Sequence, residues 1–189
     1  MHNLKPNHPL CLFWLSCSSV MFLLCFPAFA AEPIDGFRDL KFGMTAQDVQ
    51  ALPNCSTSHE CLYELSDKNR YLQLTYTQDD SASSLDSTNT PGLAKITIDM
   101  GRFTEDSYHQ LQVMMGNSYR LTHDFTTDTM NAFLAKELNL LQAGYEDGHV
   151  LLTVVRREFG NMTIKVIYQN TTLAMEFIRK RPIPRIGTP

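Results

Sequence analysis

The sequence predicts an α+β protein in which short helices pack on an antiparallel sheet. Two observations carry this prediction. Apolar residues recur at every second position in residues 95–100 and 162–168, which indicates strands with one buried face. Capping residues followed by apolar residues three or four positions apart indicate short helices between the strands. This alternation of helical and antiparallel segments is typical of the α+β class.

The first thirty residues have the composition of an export signal. Lys5 precedes residues 10–26, which carry no charge, and small residues follow at Ala28 and Ala30. This order of a basic start, an apolar stretch and small residues is typical of a secretory signal. We therefore expect cleavage between Ala30 and Ala31 and a periplasmic or secreted protein.

Two other fates of the N-terminus compete with cleavage. An uncleaved anchor is one, although residues 10–26 are barely long enough to span a bilayer. A lipoprotein is the other, but Leu24 before Cys25 is too large for lipidation, and Trp14 stands three residues before Cys17. Cleavage after Ala30 is the preferred prediction.

The cysteines of the exported chain predict a disulfide. Three of the five cysteines leave with the signal, and Cys55 and Cys61 remain. Two cysteines that close so short a loop normally oxidise outside the cytoplasm. A zinc site with His59 is the first alternative, but no second cluster of ligands accompanies it. A catalytic thiol is the second, and the spacing is not that of a Cys-x-x-Cys motif.

Local signals place the elements of the first half. Thr45 begins a helix, Asp48 completes a capping box, and Pro53 prevents continuation of the helix. Residues 71–77 alternate as a strand. A polar loop at 78–92 separates this strand from the strand at 95–100.

The second half begins with two predicted helices and continues as a meander. Thr104 caps a helix that ends near Gly116, and a second helix covers about 128–138. Asp147-Gly148 is a strong hairpin signal. Strands are therefore predicted at 140–146, 150–157 and 162–168. Residues 172–178 fit either a last strand or a last helix.

The order of elements suggests two loosely similar halves, at 37–100 and 101–178. We divide the chain into a signal at 1–30, a single α+β domain at 31–178 and a basic, proline-containing tail at 179–189. A charged fraction of 19% excludes wholesale disorder.

Residues 42–52, which read FGMTAQDVQAL, resemble the opening helix of two groups of small exported bacterial domains. These are the SmpA/OmlA outer-membrane assembly lipoproteins and the beta-lactamase-inhibitor-protein-like domains. The resemblance implies one or two helices on an antiparallel sheet of three or four strands. It also implies a module that binds other proteins rather than an enzyme.

The sequence proposes no catalytic, cofactor-binding or metal-binding residues. No two of the four histidines beyond the signal have metal-ligand spacing, and none belongs to a known catalytic motif; they are His59, His109, His123 and His149. The alternative to a binding module is a hydrolase that acts on envelope or extracellular material. It would need His109 or His123 beside carboxylates or a serine.

Charge is distributed unevenly along the chain. Beyond the signal, 20 acidic residues outnumber 15 basic ones, which speaks against a nucleic-acid binder. The C-terminal end is basic, and its candidate contacts for an anionic partner are Arg179, Lys180, Arg181 and Arg185. We predict a protein partner in the cell envelope. Membrane contact through the tail is a less favoured alternative, because terminal charge runs are usually solvated.

Overall fold

The computed structural model of the chain describes residues 34–77, 91–157 and 160–180. The expected cleavage site, most of the polar loop, Arg181 and Arg185 lie outside these ranges. The described helices are α1 (Ala46–Gln50), α2 (Glu105–Ser118), α3 (Thr127–Leu134) and α4 (Thr171–Lys180). The described strands are β1 (Gly36–Phe37), β2 (Leu40–Lys41), β3 (Glu60–Leu65), β4 (Lys68–Tyr76), β5 (Leu93–Arg102), β6 (Leu121–His123), β7 (Leu140–Tyr145), β8 (Val150–Arg156) and β9 (Met162–Gln169).

The predicted helix starts are confirmed by their caps. The Asp48 N–H donates to Thr45 Oγ1 at 3.2 Å, and the Thr45 N–H donates to the Asp48 carboxylate at 3.0 Å, so the capping box of α1 is complete. Thr104 caps α2 in the same way, by accepting from the Ser107 N–H at 3.1 Å.

The C-terminal ends of α2, α3 and α4 differ from the prediction. Helix α2 runs two residues past Gly116. Helix α3 stops at Leu134 rather than at 138, and the chain turns at Lys136, whose φ of 66° is left-handed. Residues 172–178, for which the sequence allowed a strand or a helix, are helical and belong to α4. The helix includes Arg179 and Lys180, so it extends into the predicted tail.

The sheet has seven antiparallel strands in the order β3-β4-β5-β9-β8-β7-β6. The first half contributes the meander β3-β4-β5, and the second half contributes β7-β8-β9. The last strands of the two meanders, β5 and β9, pair at the centre. A three-stranded meander thus occurs in both halves, after one helix (α1) in the first half and after α2, β6 and α3 in the second. The resemblance implied three or four strands, and the sheet exceeds that number because the halves join edge to edge.

One face of the sheet carries the hydrophobic core. Alternate residues of each long strand point to this face, as Leu72 and Leu74 do on β4. Val49 of α1, Leu111 of α2 and Phe133 of α3 are buried against it. Three helices therefore cover this core face.

Among the described residues, every helix is too short or too polar to span a membrane.

Helix α4 covers only one end of the opposite face. A Cβ added at Gly144 on β7 would lie 2.8 Å from the Phe177 ring, so the ring packs directly on the strand backbone. Ala174 packs in the same way on Gly148. Leu151 of β8, which points to this side, is consequently only 4% exposed. The rest of this side of the sheet has no helix over it among the described residues.

The disulfide blocks the outer edge of β3. Cys55 and Cys61 are bonded, as the sequence predicted. The loop that they close places the Asn54 carbonyl where it accepts from the Leu62 N–H at 2.7 Å. The Glu64 carbonyl accepts from the Arg38 guanidinium at 3.0 Å. An exposed strand edge invites pairing with another chain, and these contacts occupy the edge instead.

Candidate functional site

The uncovered part of the second sheet face is the first candidate surface. We call it the open face and define it by outward residues of the central strands: Tyr71, Gln73, Thr97, Asp99 and Lys165. They face away from the core because side chains alternate along a strand and their sequence neighbours, such as Leu72 and Ile98, are buried. The register puts Gln73 opposite Thr97 and Asp99 opposite Lys165. Neighbouring strands thus bring polar side chains from both halves together.

Tyr71 is the most prominent side chain of the open face. It is 66% exposed, more than any other large hydrophobic residue in the described part of the chain. Beside it lies a shallow depression of about 310 Å³. The Arg157 guanidinium borders this depression and approaches the Asp99 carboxylate at 3.6 Å. An aromatic ring among cations and amides suits binding, and these groups lack the paired nucleophile and base of a covalent catalyst.

The second candidate surface is a groove on the core side, which we call the α2 groove. It lies between α2, the β3–β4 turn and the end of β5. The turn residues Ser66 and Asp67 have left-handed φ values of 49° and 59°, as tight hairpins require. On β5 a bulge between Asp99 and Gly101 bends the strand. The hairpin thus forms one wall of the groove, opposite α2.

The α2 groove consists of two hollows, of about 250 Å³ and about 420 Å³. They share Leu65, Ser66, Met100, Leu111 and Met114 as lining residues, so they form one continuous surface. Four cationic residues also line it, and no carboxylate does so among the described residues; the cations are Arg38, Lys68, Arg70 and Arg102. Apolar side chains and a cationic border are therefore combined in one groove.

Arg38 is held firmly at the border of the α2 groove. Its guanidinium lies 5.7 Å from the ring centre of Phe37 and 5.6 Å from that of Tyr63. The Tyr63 hydroxyl donates to the Asp39 carboxylate. Burial, and then this carboxylate, raise the pKa of Tyr63 far above its ordinary value of 10.0, so the phenol stays neutral. The wall beneath Arg38 is therefore an uncharged aromatic surface.

Tyr168 lines the groove and contacts a second tyrosine, Tyr119. The hydroxyls of Tyr168 and Tyr119 lie 3.1 Å apart. Burial raises the pKa of Tyr168 well above 10.0, and the contact with Tyr119 raises it further. Tyr168 therefore contributes no negative charge to the groove at neutral pH.

The structure describes two of the four predicted basic contacts, and both lie away from the two candidate surfaces. Arg179 and Lys180 lie exposed in the last turn of α4, where cations interact favourably with the helix dipole. Lys180 pairs with Glu176 at 3.2 Å. Neither residue borders the open-face depression or the α2 groove. Arg181 and Arg185 lie outside the described residues.

The histidines do not gather at one site. His59 Nδ1 lies 2.9 Å from the Ser58 hydroxyl, but no described carboxylate orients the ring as a catalytic base would require. The His123 ring packs edge-to-face on Phe177, and His149 contacts the Gln169 carbonyl at 3.3 Å. His109 is exposed on α2 and makes no hydrogen bond or ion pair with the described residues. Within the ranges that the structure covers, no group of three or more potential ligands could hold a metal ion.

Sequence reasoning missed both candidate surfaces. The open face had a signal, because Leu72, Leu74 and Tyr76 were placed on one side of a strand and Tyr71 and Gln73 must then lie on the other. The α2 groove had no such signal, since its cations come from segments far apart in the chain.

No family model, curated protein or solved structure matches this chain.

Proposed function

We propose that the chain is an exported protein-binding module of the bacterial envelope, and that its open face is the surface that meets the partner. Inhibitor, immunity protein and envelope-assembly accessory are the versions that this proposal includes. The observation that carries it is Tyr71, an exposed ring surrounded by hydrogen-bonding and charged groups on an otherwise regular sheet face.

The chemistry of the open face supports a protein partner. Tyrosine and arginine are enriched among residues that dominate binding energy in protein interfaces. Tyr71 and Arg157 border the same depression. Leu62, which stands opposite Tyr71 on β3, is 39% exposed and extends the apolar contact. Around these anchors lie Gln73, Thr97 and Lys165, which suit the polar surroundings of such an anchor.

The sequence adds context to the geometry. The N-terminal signal sends the chain to the envelope, and residues 42–52 resemble modules that bind other proteins. The blocked edge of β3 favours recognition by the face rather than by strand addition, because its Leu62 N–H already has a partner.

Affinity capture from envelope extracts of the source bacterium tests this function. The bait is the purified full chain, compared with Tyr71→Ala and Arg157→Ala. We expect one or a few proteins to bind the unaltered chain. Each substitution should weaken their binding by at least about tenfold, because truncation of a central anchor costs about 2 kcal/mol or more.

The matched control is Leu134→Ala. It removes an apolar side chain of α3 that is 51% exposed and lies outside the open face. It should retain the same proteins as the unaltered chain. The proposal fails if no protein is captured, or if the Tyr71 and Arg157 variants retain everything that the control retains. Unfolding midpoints of all variants separate lost binding from lost folding.

A further inference from the structure

We propose that the α2 groove is a separate site for a small anionic amphiphile, a single alkyl chain that ends in a carboxylate or a phosphate. The groove differs from the open face in shape and composition. It is concave, with a largely apolar smaller hollow and a larger hollow that carries most of the cations. Protein interfaces are broad and flat, whereas concave sites that combine apolar side chains with a few charged groups typically accept small molecules.

The apolar part of the groove fits an alkyl chain. Phe37, Ile98 and Leu111 line it together with Met100, Met114 and Met115. Methionine side chains are flexible and polarizable, so they adapt to a chain without a fixed shape. Met114 is 49% exposed although it lies beside buried Leu111 and Met115. Covering it with an alkyl chain would remove apolar surface from water, which is favourable.

The charged part of the groove selects an anion. Lys68, Arg70 and Arg102 form no ion pair with any carboxylate in the described part of the chain. The Nε of Arg70 is buried and has no hydrogen-bond partner among the residues that the structure describes. A buried donor without an acceptor is costly, and a carboxylate or phosphate oxygen would satisfy it. Arginine pairs with both groups through two parallel hydrogen bonds.

The surrounding carboxylates do not reverse this preference. Asp67 occupies the β3–β4 turn next to Ser66, and Asp106 lies in the first turn of α2, but neither lines the groove. Asp39 accepts the hydrogen bond from Tyr63. The groove therefore concentrates positive charge in a protein that is acidic overall, and charge complementarity favours a negative head group.

The test compares three ligands that share a twelve-carbon chain: dodecanoate, dodecyl phosphate and dodecyltrimethylammonium, each below its critical micelle concentration. The full chain is labelled at its nine methionine methyl groups and observed by NMR. We expect the anions to shift the signals of Met100, Met114 and Met115. Met130 and Met175, which lie outside the groove, should not move. The two anions distinguish a carboxylate head from a phosphate head.

Charge variants show whether the cations of the groove bind the head group. Variants outside the groove serve as controls. Lys68→Gln combined with Arg102→Gln should raise the Kd for the anions about tenfold or more, since hydrogen bonds to charged groups are among the strongest. Lys136→Gln removes a cation outside the groove and should leave the Kd unchanged. Tyr71→Ala should also leave it unchanged, which separates this site from the proposed protein interface.

Three results would overturn the proposal. The first is an equal shift with dodecyltrimethylammonium, because charge would then play no part. The second is no shift of the groove methionines with either anion. The third is a shift of the same methionines that grows with protein concentration alone, which would make a second copy of the chain the occupant of the groove.

Discussion

The two faces of the sheet differ in what their residues do, although both are made by the same strands. On the core face, branched and aromatic side chains are buried under α1, α2 and α3. On the open face, Tyr71, Gln73, Thr97, Asp99 and Lys165 point outward, and α4 covers only the β7 end. Ile96 and Thr97 are neighbours on β5, yet Ile96 is fully buried and Thr97 borders the open depression. Alternation thus separates the residues that stabilise the domain from the surface that we propose for recognition.

Substitutions of neighbouring residues on the two faces should differ most in their effect on the free energy of unfolding. Ile96→Ala should lower the free energy of unfolding by about 2–5 kcal/mol, because it leaves a cavity in the core. Thr97→Ala should change it by about 1 kcal/mol or less, because the side chain points away from the core and borders the open-face depression. Chemical denaturation of both variants measures the difference. Equal losses would show that the open face contributes to stability as much as the core face does.

On the second side of the sheet, only the end covered by α4 should contribute strongly to stability. Gly144→Ala should cost about 1–3 kcal/mol, since the new methyl group would overlap the Phe177 ring. Gly116→Ala is the matched control, because nothing lies within 4 Å of its added Cβ and it stands in α2. The control should gain about 0.5–1 kcal/mol from helix propensity. A neutral Gly144→Ala would mean that α4 does not pack on β7.

The edge of β3 gives the next comparison. Replacement of Cys55 and Cys61 by serine should lower stability by about 2 kcal/mol, from the entropy of a short closed loop. Hydrogen exchange should accelerate at Leu62, whose N–H donates to the carbonyl of Asn54, the residue before Cys55. It should not change at Ile164 in the sheet centre. If both amides accelerate together, the disulfide supports the whole sheet rather than its edge.

The smallest effect concerns the capping box of α1 on the core face. The Thr45 hydroxyl, and then its backbone N–H, donate to the Asp48 carboxylate and hold the pKa of Asp48 below its ordinary value of 3.8. A lowered folded-state pKa stabilises the fold above about pH 4, and this contribution is lost as the pH falls through the folded-state pKa. Asp48→Asn should therefore be less stable than the unaltered chain at about pH 6 and equal to it at about pH 2. Denaturation curves at both pH values check this, and a constant difference would contradict it.

Much of the fold follows from local patterns in the sequence. Thr45 and Thr104 predict the starts of two helices, because an N-cap residue interacts only with the first turn of its own helix. The hairpin between β7 and β8 was also predicted and is confirmed by the pairing of Tyr145 with Val150. Its turn is a 3-10 turn at Glu146–Gly148, in which Glu146 and Asp147 also adopt positive φ values of 46° and 54°.

Other features depend on contacts that no local pattern contains. Strand β3 was missed because its buried positions are Cys61 and Tyr63, and Cys61 was assigned only to the disulfide. For α4, Leu173 and Phe177 are four residues apart, and Met175 stands between them, so helical and alternating patterns coincide. The pairing of β5 with β9 joins the two halves of the chain. The cations of the α2 groove meet only after that pairing and the packing of α2.

The central claim is that the open face meets a protein partner, and site-specific photo-crosslinking in the source organism tests it most directly. Benzoylphenylalanine replaces Tyr71 in one variant and Val113, which is 51% exposed on α2, in the other. We predict a single adduct of defined mass from position 71, containing one envelope protein, and none from position 113. The absence of an adduct at 71, or the same adducts from both positions, would contradict the claim.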